Sequence, residues 1–445
     1  MADNIPTLRV APGQRTQFDN VAIHISDLTP GAHVALELDY RDRLDRYWAS
    51  RGEYFADASG VVDISSSPSV GGTYEGADIN GLFWSMRVLP HRSKRDMLRD
   101  ISTVLDPPPS PPMPVLEPER PITITVKLYI EGRETEEYSY EQHPFVRGGV
   151  TRAAITDTEL RGVLYSPNSR KNGGVLVIGG SEGGIGDFIQ NVAACFATNG
   201  FPALALGYFG LEGLPEEGVN IDIEYFERAL KKLRSLIGDH PLCIWGVSKG
   251  AEAVLLIAAH FPDLVDGVIA WMPGDMVTGG VSAKNLTQPM WRLNGRALDY
   301  VNEAIPSLAD MQNSDDPHGV SLRRLILPIL AKEENYERFA IPVDRITCPV
   351  FLVTASADEE WPCDIMAERI VKRMRASGPE QRVEHFCAQG AGHHLGLPHD
   401  VTTYRTKIWH PVAKFLIRSG GTPALTARAA PSAWRRTIEF MESLS

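Results

Sequence analysis

A serine between two glycines, Gly246-Val247-Ser248-Lys249-Gly250, follows the apolar run Leu242-Cys-Ile-Trp245 and precedes a helix-forming run from Ala251 to Ala259. Strand, sharp turn and helix in that order would lift the Ser248 hydroxyl above a sheet edge, and glycine leaves room for close strand-to-helix packing. The helix N-terminus beneath the serine favours developing negative charge. A lone GxSxG is a weak pattern, because glycine-flanked serines also occur in ordinary turns. The flanking strand and helix give this one its weight.

A serine hydroxyl is a poor nucleophile until a histidine takes its proton. Gly390-Ala-Gly-His393 follows a late strand in a glycine-rich turn, which makes His393 the candidate base and His394 its rival. Both also read as plain loop histidines, and His385, inside a strand pattern, reads as structural. The orienting acid should fall between serine and histidine in chain order. Asp358 stands just beyond the apolar strand Val350 to Thr354, with Glu359 and Glu360 as neighbouring substitutes; the bland alternative is a solvated acidic loop.

Acyl-transfer chemistry also needs two N–H donors for an oxyanion. Lys249, the residue after the nucleophile, supplies one backbone N–H. The loop Gly179-Gly180-Ser181-Glu182-Gly183-Gly184 supplies the other from Ser181 or Glu182. A phosphate cradle is the competing reading of that loop, but the Walker lysine and the dinucleotide fingerprint are both missing. No His/Asp/Glu cluster has metal-ligand spacing, so neither metal nor cofactor is expected.

The elements that must hold these residues change character along the chain. The first third reads as short strands: Val21 to Ile25, Val34 to Leu38, Tyr47 to Phe55, Val61 to Ile64, Leu82 to Val88, Ile122 to Ile130 and Thr135 to Gln142. Such spacing points to a small, immunoglobulin-like β-sandwich over residues 1–147. The proline-rich Pro107 to Pro114 is placed in a loop inside it, because strand patterns continue beyond, and the boundary falls near 144–150. Residues 148–445 then alternate strands with amphipathic helices, predicted over Phe188 to Thr198, Ile221 to Ile237, Lys249 to His260 and Asp364 to Arg375. That is a mostly parallel sheet covered on both faces, the α/β-hydrolase fold. The stretch 275–345 shows no clear strand and is a candidate cap or lid.

Composition sets the outer limits. A chain of 445 residues exceeds one ordinary core, and 43% hydrophobic with 22% charged residues is globular. The net charge of -12 argues against nucleic acid or anionic membranes as main partners. Five scattered cysteines suggest buried thiols rather than a disulfide framework. No signal peptide or bilayer-length apolar run is seen, so a cytoplasmic address is expected by default. Nothing bears on oligomeric state.

With the motifs in place, the chain resembles the acyl-CoA thioesterases and bile acid-CoA:amino acid N-acyltransferases, as a bacterial-type member. The likeness rests on Gly72 to Gly76, Gly81 to Met86, Gly200 to Tyr208, Glu224 to Phe226, Gly246 to Gly250, Asp358 to Trp361, Gly390 to His393 and Gly421 to Trp434. It implies a sandwich N-domain before an α/β-hydrolase domain, with Ser248, Asp358 and His393 on the family's nucleophile, acid and base. The implied substrate is a coenzyme A ester. Serine, where amino-acid-conjugating members use cysteine, leans toward hydrolysis. After the base, His394-Leu-Gly-Leu-Pro398 departs from the acidic residue and paired prolines of the animal enzymes. The resemblance leads to an acyl-CoA thioesterase reading, with an acyltransferase, an oxygen-ester or lactone hydrolase, and a non-catalytic binding protein as alternatives. Arg92, Lys94 and Arg95 read either as coenzyme A phosphate contacts or as a solvated charged loop.

Overall fold

The computed structural model describes residues 5–11, 20–89, 120–143, 149–155, 159–284, 286–302, 308–378 and 382–444. Pro107 to Pro114, the charged trio Arg92, Lys94 and Arg95, and most of the 144–150 boundary lie outside the described residues. The chain divides into two compact units: Met1–Arg147 with Gly396–Tyr404, and Gly148–Leu395 with Arg405–Ser445.

The first unit is mostly antiparallel sheet. Thr7–Ala11, Ala22–Ser26 and Val62–Asp63 form one sheet; Gly71–Gly72, Tyr47–Phe55, His33–Arg41, Ile122–Ile130 and Arg133–Gln142 follow one another in a second, with Arg87–Val88 paired to Tyr47–Phe55. Charges drawn into the second sheet are paired, as burial requires: Lys127 Nζ reaches Asp39 Oδ2 at 2.6 Å and Arg51 reaches Glu37 at 2.7 Å. The strand expected over Leu82 to Val88 is instead a short helix, Gly81–Trp84, followed by the two-residue strand Arg87–Val88. Gly81, Leu82, Phe83 and Trp84 are all buried, so the run lacks the in–out alternation of a half-buried strand. Asp78 starts the helical turn by accepting from Asn80 N and, through its other oxygen, from Trp84 Nε1.

The second unit is built on one eight-stranded sheet. Its strands are β1 (Val150–Ile155), β2 (Arg161–Pro167), β3 (Gly174–Ile178), β4 (Ala203–Gly207), β5 (Leu242–Val247), β6 (Gly267–Trp271), β7 (Val350–Ala355) and β8 (Val383–Ala388). Their order is β1-β2-β4-β3-β5-β6-β7-β8. β2 pairs antiparallel with β1 and β4, while β4 through β8 pair in parallel. Every residue of β3, β4, β6 and β7 is buried, which is why these strands read as unbroken apolar runs. This is the α/β-hydrolase architecture.

Helices α1 (Asp187–Thr198), α2 (Glu224–Ile237), α3 (Lys249–His260), α4 (Cys363–Ser377) and α5 (Pro423–Glu442) accompany the sheet. The helix expected from Ile221 begins later, because Ile221 and Asp222 form a strand beside Trp291–Leu293. That pairing also corrects the strandless reading of 275–345, where Trp291–Leu293 and Arg296–Ala297 make a hairpin. Helices Leu308–Gln312, Leu322–Leu330 and Glu333–Phe339 complete the described part of the segment. Strands of three and two residues are too short for period-two alternation to register.

The chain leaves β3 for β4 on one side and later returns to β5 on the other. The β3 and β5 carboxyl ends therefore flank a switch point, where open parallel sheets offer a crevice. Ser181 and Ser248 both follow strands that end there.

Candidate active site

Ser248 sits between β5 and α3 with φ 55° and ψ −118°, a left-handed backbone that non-glycine residues seldom adopt. The fold over-determines this turn. A Cβ on Gly246 would come within 2.2 Å of Gly250 O, and one on Gly250 within 2.4 Å of Gly179 O. The elbow and the loop after β3 thus touch backbone to backbone. Lys249 is the first residue of α3, so its N–H has no acceptor inside the helix.

Asp358 is fully buried beyond β7. One carboxylate oxygen accepts from Glu360 N at 2.8 Å and Trp361 N at 3.0 Å; the other takes His393 Nδ1 at 2.7 Å. His393, not His394, is therefore the imidazole held by the acid. His393 and Ser248 line the same cavity, of about 440 Å³. Its walls are mostly apolar, including Met276, Leu308, Leu325, Ile329, Phe415 and Ile417. His385 lies on β8 with Nε2 2.8 Å from Thr354 Oγ1, away from this constellation.

A junction of glycines brings the acid and histidine loops together. A Cβ on Gly392 would meet Gly420 O at 2.2 Å, and one on Gly421 would meet Gly392 N at 2.1 Å. His393 N donates to Ser419 O at 2.9 Å, and Asp358 forms a bridge with Gly420. Close approach of bare backbone thus brings the Asp358 and His393 loops together.

Glu360 is more than a spare acid. Its Oε2 lies 3.6 Å from His393 Nε2, its Oε1 lies 2.8 Å from His394 Nε2, and Oε1 also accepts from Ser419 Oγ at 2.7 Å. Burial alone would raise its carboxyl, but the two imidazoles and the hydrogen bonds outweigh burial and hold it down at about 2. Burial would likewise lower His393, yet Asp358 and Glu360 overcome it and lift the imidazole to about 9.

The loop after β3 is oriented from below. The buried Tyr208 hydroxyl contacts Gly179 O at 3.0 Å and Gly180 O at 2.7 Å. In a trans peptide the N–H opposes the C=O, so the Gly180 and Ser181 N–H groups face away from Tyr208. Glu182 Oε1 accepts from Gly180 N at 3.3 Å. Ser181 lines the cavity, and its Oγ lies 2.9 Å from His410 Nε2.

The 275–345 segment is tied to both sides of the site. Glu252 on α3, fully buried, accepts from Trp291 Nε1 at 2.7 Å, Thr278 Oγ1 at 2.6 Å and Lys249 Nζ at 3.2 Å. Arg323, on the Leu322–Leu330 helix, donates to Asp364 at 2.8 Å and to Asp358 O at 3.3 Å. Sequence reasoning singled out Lys249 only for its backbone and passed over Tyr208, Glu252, His410 and Ser419. A buried acid four residues after Ser248, Glu252 inside an apolar helix, was the one signal available for that network.

Among the described residues no group of His, Cys, Asp and Glu could hold a metal ion. None of the five cysteines is in a disulfide, and Cys195, Cys243, Cys348 and Cys363 are buried. Among the described residues no helix is long and apolar enough to cross a membrane.

Comparison with known proteins places this geometry in context. The chain is 26% identical over 445 residues to acyl-coenzyme A thioesterase 1 of Mus musculus, covering 98% of this chain and 96% of that protein. It is 27% identical over 449 residues to acyl-coenzyme A thioesterase 6 of Mus musculus, again covering 98% and 96%. Among solved structures, the α/β hydrolase GrgF from Penicillium sp. sh18 aligns with 55% of this chain and 91% of its own, at 19% identity and a TM-score of 0.34. Residues 19–157 match the acyl-CoA thioester hydrolase/BAAT N-terminal region, and residues 221–444 match the BAAT/acyl-CoA thioester hydrolase C-terminal family. With both regions of one family present in order, the chain belongs to the acyl-CoA thioester hydrolase/BAAT family.

Proposed function

We propose that this protein hydrolyses acyl-CoA thioesters, with Ser248 as nucleophile, His393 as general base and Asp358 as the acid that holds the imidazolium. The observation that carries the reading is the 2.7 Å hydrogen bond from His393 Nδ1 to a fully buried Asp358, beside an elbow serine that opens on the same apolar cavity. An acyl chain suits such a cavity, since burying methylenes against Leu, Ile, Met and Phe side chains is favourable.

Ser248 Oγ attacks the thioester carbonyl carbon while its proton passes to His393 Nε2, and the carbonyl π pair moves onto oxygen. The Lys249 N–H, with the Ser181 or Glu182 N–H, stabilises that oxyanion. Collapse breaks the C–S bond and the coenzyme A thiolate takes the proton. Water, deprotonated by His393, then cleaves the acyl-serine. In this reading residues 1–147 are the family's N-domain, 148–445 the catalytic domain, and 275–345 a cap whose apolar residues wall the acyl site.

The test is free-thiol release from acyl-CoAs of increasing length against matched oxygen esters. Thiol release well above ester cleavage is expected. Ester cleavage without thiol release would reassign the protein to oxygen esters or lactones, and release only with an added amine or alcohol would reassign it to acyl transfer.

The pH profile carries a separate expectation. A base lifted to about 9 is mostly protonated at neutral pH, so kcat/KM should climb with pH toward that value. Removing the Glu360 charge withdraws one of the groups that stabilise the imidazolium. Glu360→Gln should therefore move the acid limb of kcat/KM to lower pH, by about one unit or more. A limb that stays in place would show that Glu360 does not act on His393.

A further inference from the structure

His410 occupies the turn of the hairpin between Lys407–Trp409 and Leu416–Arg418, 229 residues from Ser181 in sequence, yet its Nε2 lies 2.9 Å from the Ser181 hydroxyl. The backbone around it settles the tautomer. Val412 N at 3.2 Å and Ala413 N at 3.0 Å both donate to His410 Nδ1, so Nδ1 carries the lone pair and Nε2 carries the hydrogen. Phe415 stacks on the ring at 6.3 Å, and the side chain is 5% exposed. Burial pushes the imidazole down to about 4, against the attraction of Glu360 and with the repulsion of His394 and Lys414, which keeps it a neutral donor.

A hydroxyl that accepts from His410 has its own O–H to give. Among the described residues no protein acceptor takes the Ser181 O–H, and Ser181 lines the cavity that Ser248 and His393 also line. The neighbouring backbone is hard against the nucleophile, since a Cβ on Gly180 would stand 3.4 Å from Ser248 Cβ.

We propose that the Ser181 hydroxyl is a side-chain donor to the substrate oxyanion, and that His410 is the positioning residue that aims it. This rests on Ser248 being the nucleophile. His410 Nε2–H holds Ser181 Oγ as an acceptor, which turns the Ser181 O–H toward the carbonyl oxygen as its negative charge develops. The hydroxyl keeps its proton throughout; the only proton that moves is that of Ser248, to His393. A neutral donor fixed before the substrate arrives stabilises charge that exists only in the transition state, so its effect belongs to kcat.

The experiment is steady-state thiol release from an acyl-CoA by the full chain and by Ser181→Ala, Ser181→Thr, His410→Ala, the Ser181→Ala/His410→Ala pair and Ser248→Ala. Thermal unfolding of each confirms the fold. Ser181→Ala should lose ~10²-fold or more in kcat with KM little changed. Ser181→Thr, which keeps a hydroxyl, should recover much of that loss. His410→Ala should lower kcat in the parent and add almost nothing in the Ser181→Ala background. A Ser181→Ala protein with parental kcat, while Ser248→Ala is dead, overturns the donor and leaves the nucleophile reading standing. Full activity in Ser248→Ala overturns both. Independent, additive losses from Ser181→Ala and His410→Ala would remove His410 from the role.

Discussion

Ser248→Ala should lower kcat for acyl-CoA hydrolysis by ~10⁴-fold or more, and adding His393→Ala to it should cost little further. The reason is that the hydroxyl and the imidazole act as one unit. Without the oxygen there is no proton for His393 to take, and without the base the hydroxyl stays a weak nucleophile. Asp358→Asn should also be severe, because the buried hydrogen bond to Nδ1 selects the tautomer that leaves Nε2 free to accept. Thiol-release rates for the single and double variants give the comparison. Comparable activity in parent and Ser248→Ala would sink the catalytic assignment, and multiplicative losses would show that the residues work separately.

Gly250→Ala is expected to damage the protein itself. Its Cβ would stand 2.4 Å from Gly179 O and 2.5 Å from Ile178 O, backbone atoms at the end of β3 that cannot rotate away. Overpacking of this kind should cost roughly 3 kcal/mol and lower Tm by roughly 5 °C. Gly186→Ala is the control, with open space around its Cβ and an ordinary negative φ of −67°. It should shift stability by no more than ~0.5 kcal/mol. A thermal melt in which Gly250→Ala matches both parent and Gly186→Ala would mean that the elbow tolerates separation from β3. If the variant does fold, displacement of the Gly179 loop should still depress kcat, because the proposed Ser181 or Glu182 donor sits on it.

The parts of this molecule that were legible in sequence are those encoded by local pattern. Lys249–His260 matched its expected helix residue for residue, because a helix opened by a glycine elbow and continued by Ala, Val, Leu and Ile has one reading. The β5 and β7 strands, read as the apolar runs Leu242 to Trp245 and Val350 to Thr354, were legible because central parallel strands are apolar on both faces. β1 and β2 were not assigned, since Val150–Ile155 is exposed along most of its length and lacks that mark. Leu82 to Val88 misled because a short apolar run fits a buried helix and a buried strand equally, and only the Asp78 turn decides.

For the candidate site, the order Ser248, Asp358, His393 could be read along the chain, and their strand-end positions and the glycines around them are relations among near neighbours in it. Tertiary structure alone decided which histidine faces Asp358, that Glu360 stands 3.6 Å from His393 Nε2, and that His410 meets Ser181 across 229 residues. Spacing along a chain carries no trace of such meetings, because a turn histidine held by two backbone N–H groups looks like any other until the hairpin that carries it meets the loop after β3. The tautomer, the burial and the direction of a hydrogen bond are properties of that packing, and they separate a residue that fills a turn from one that aims a hydroxyl.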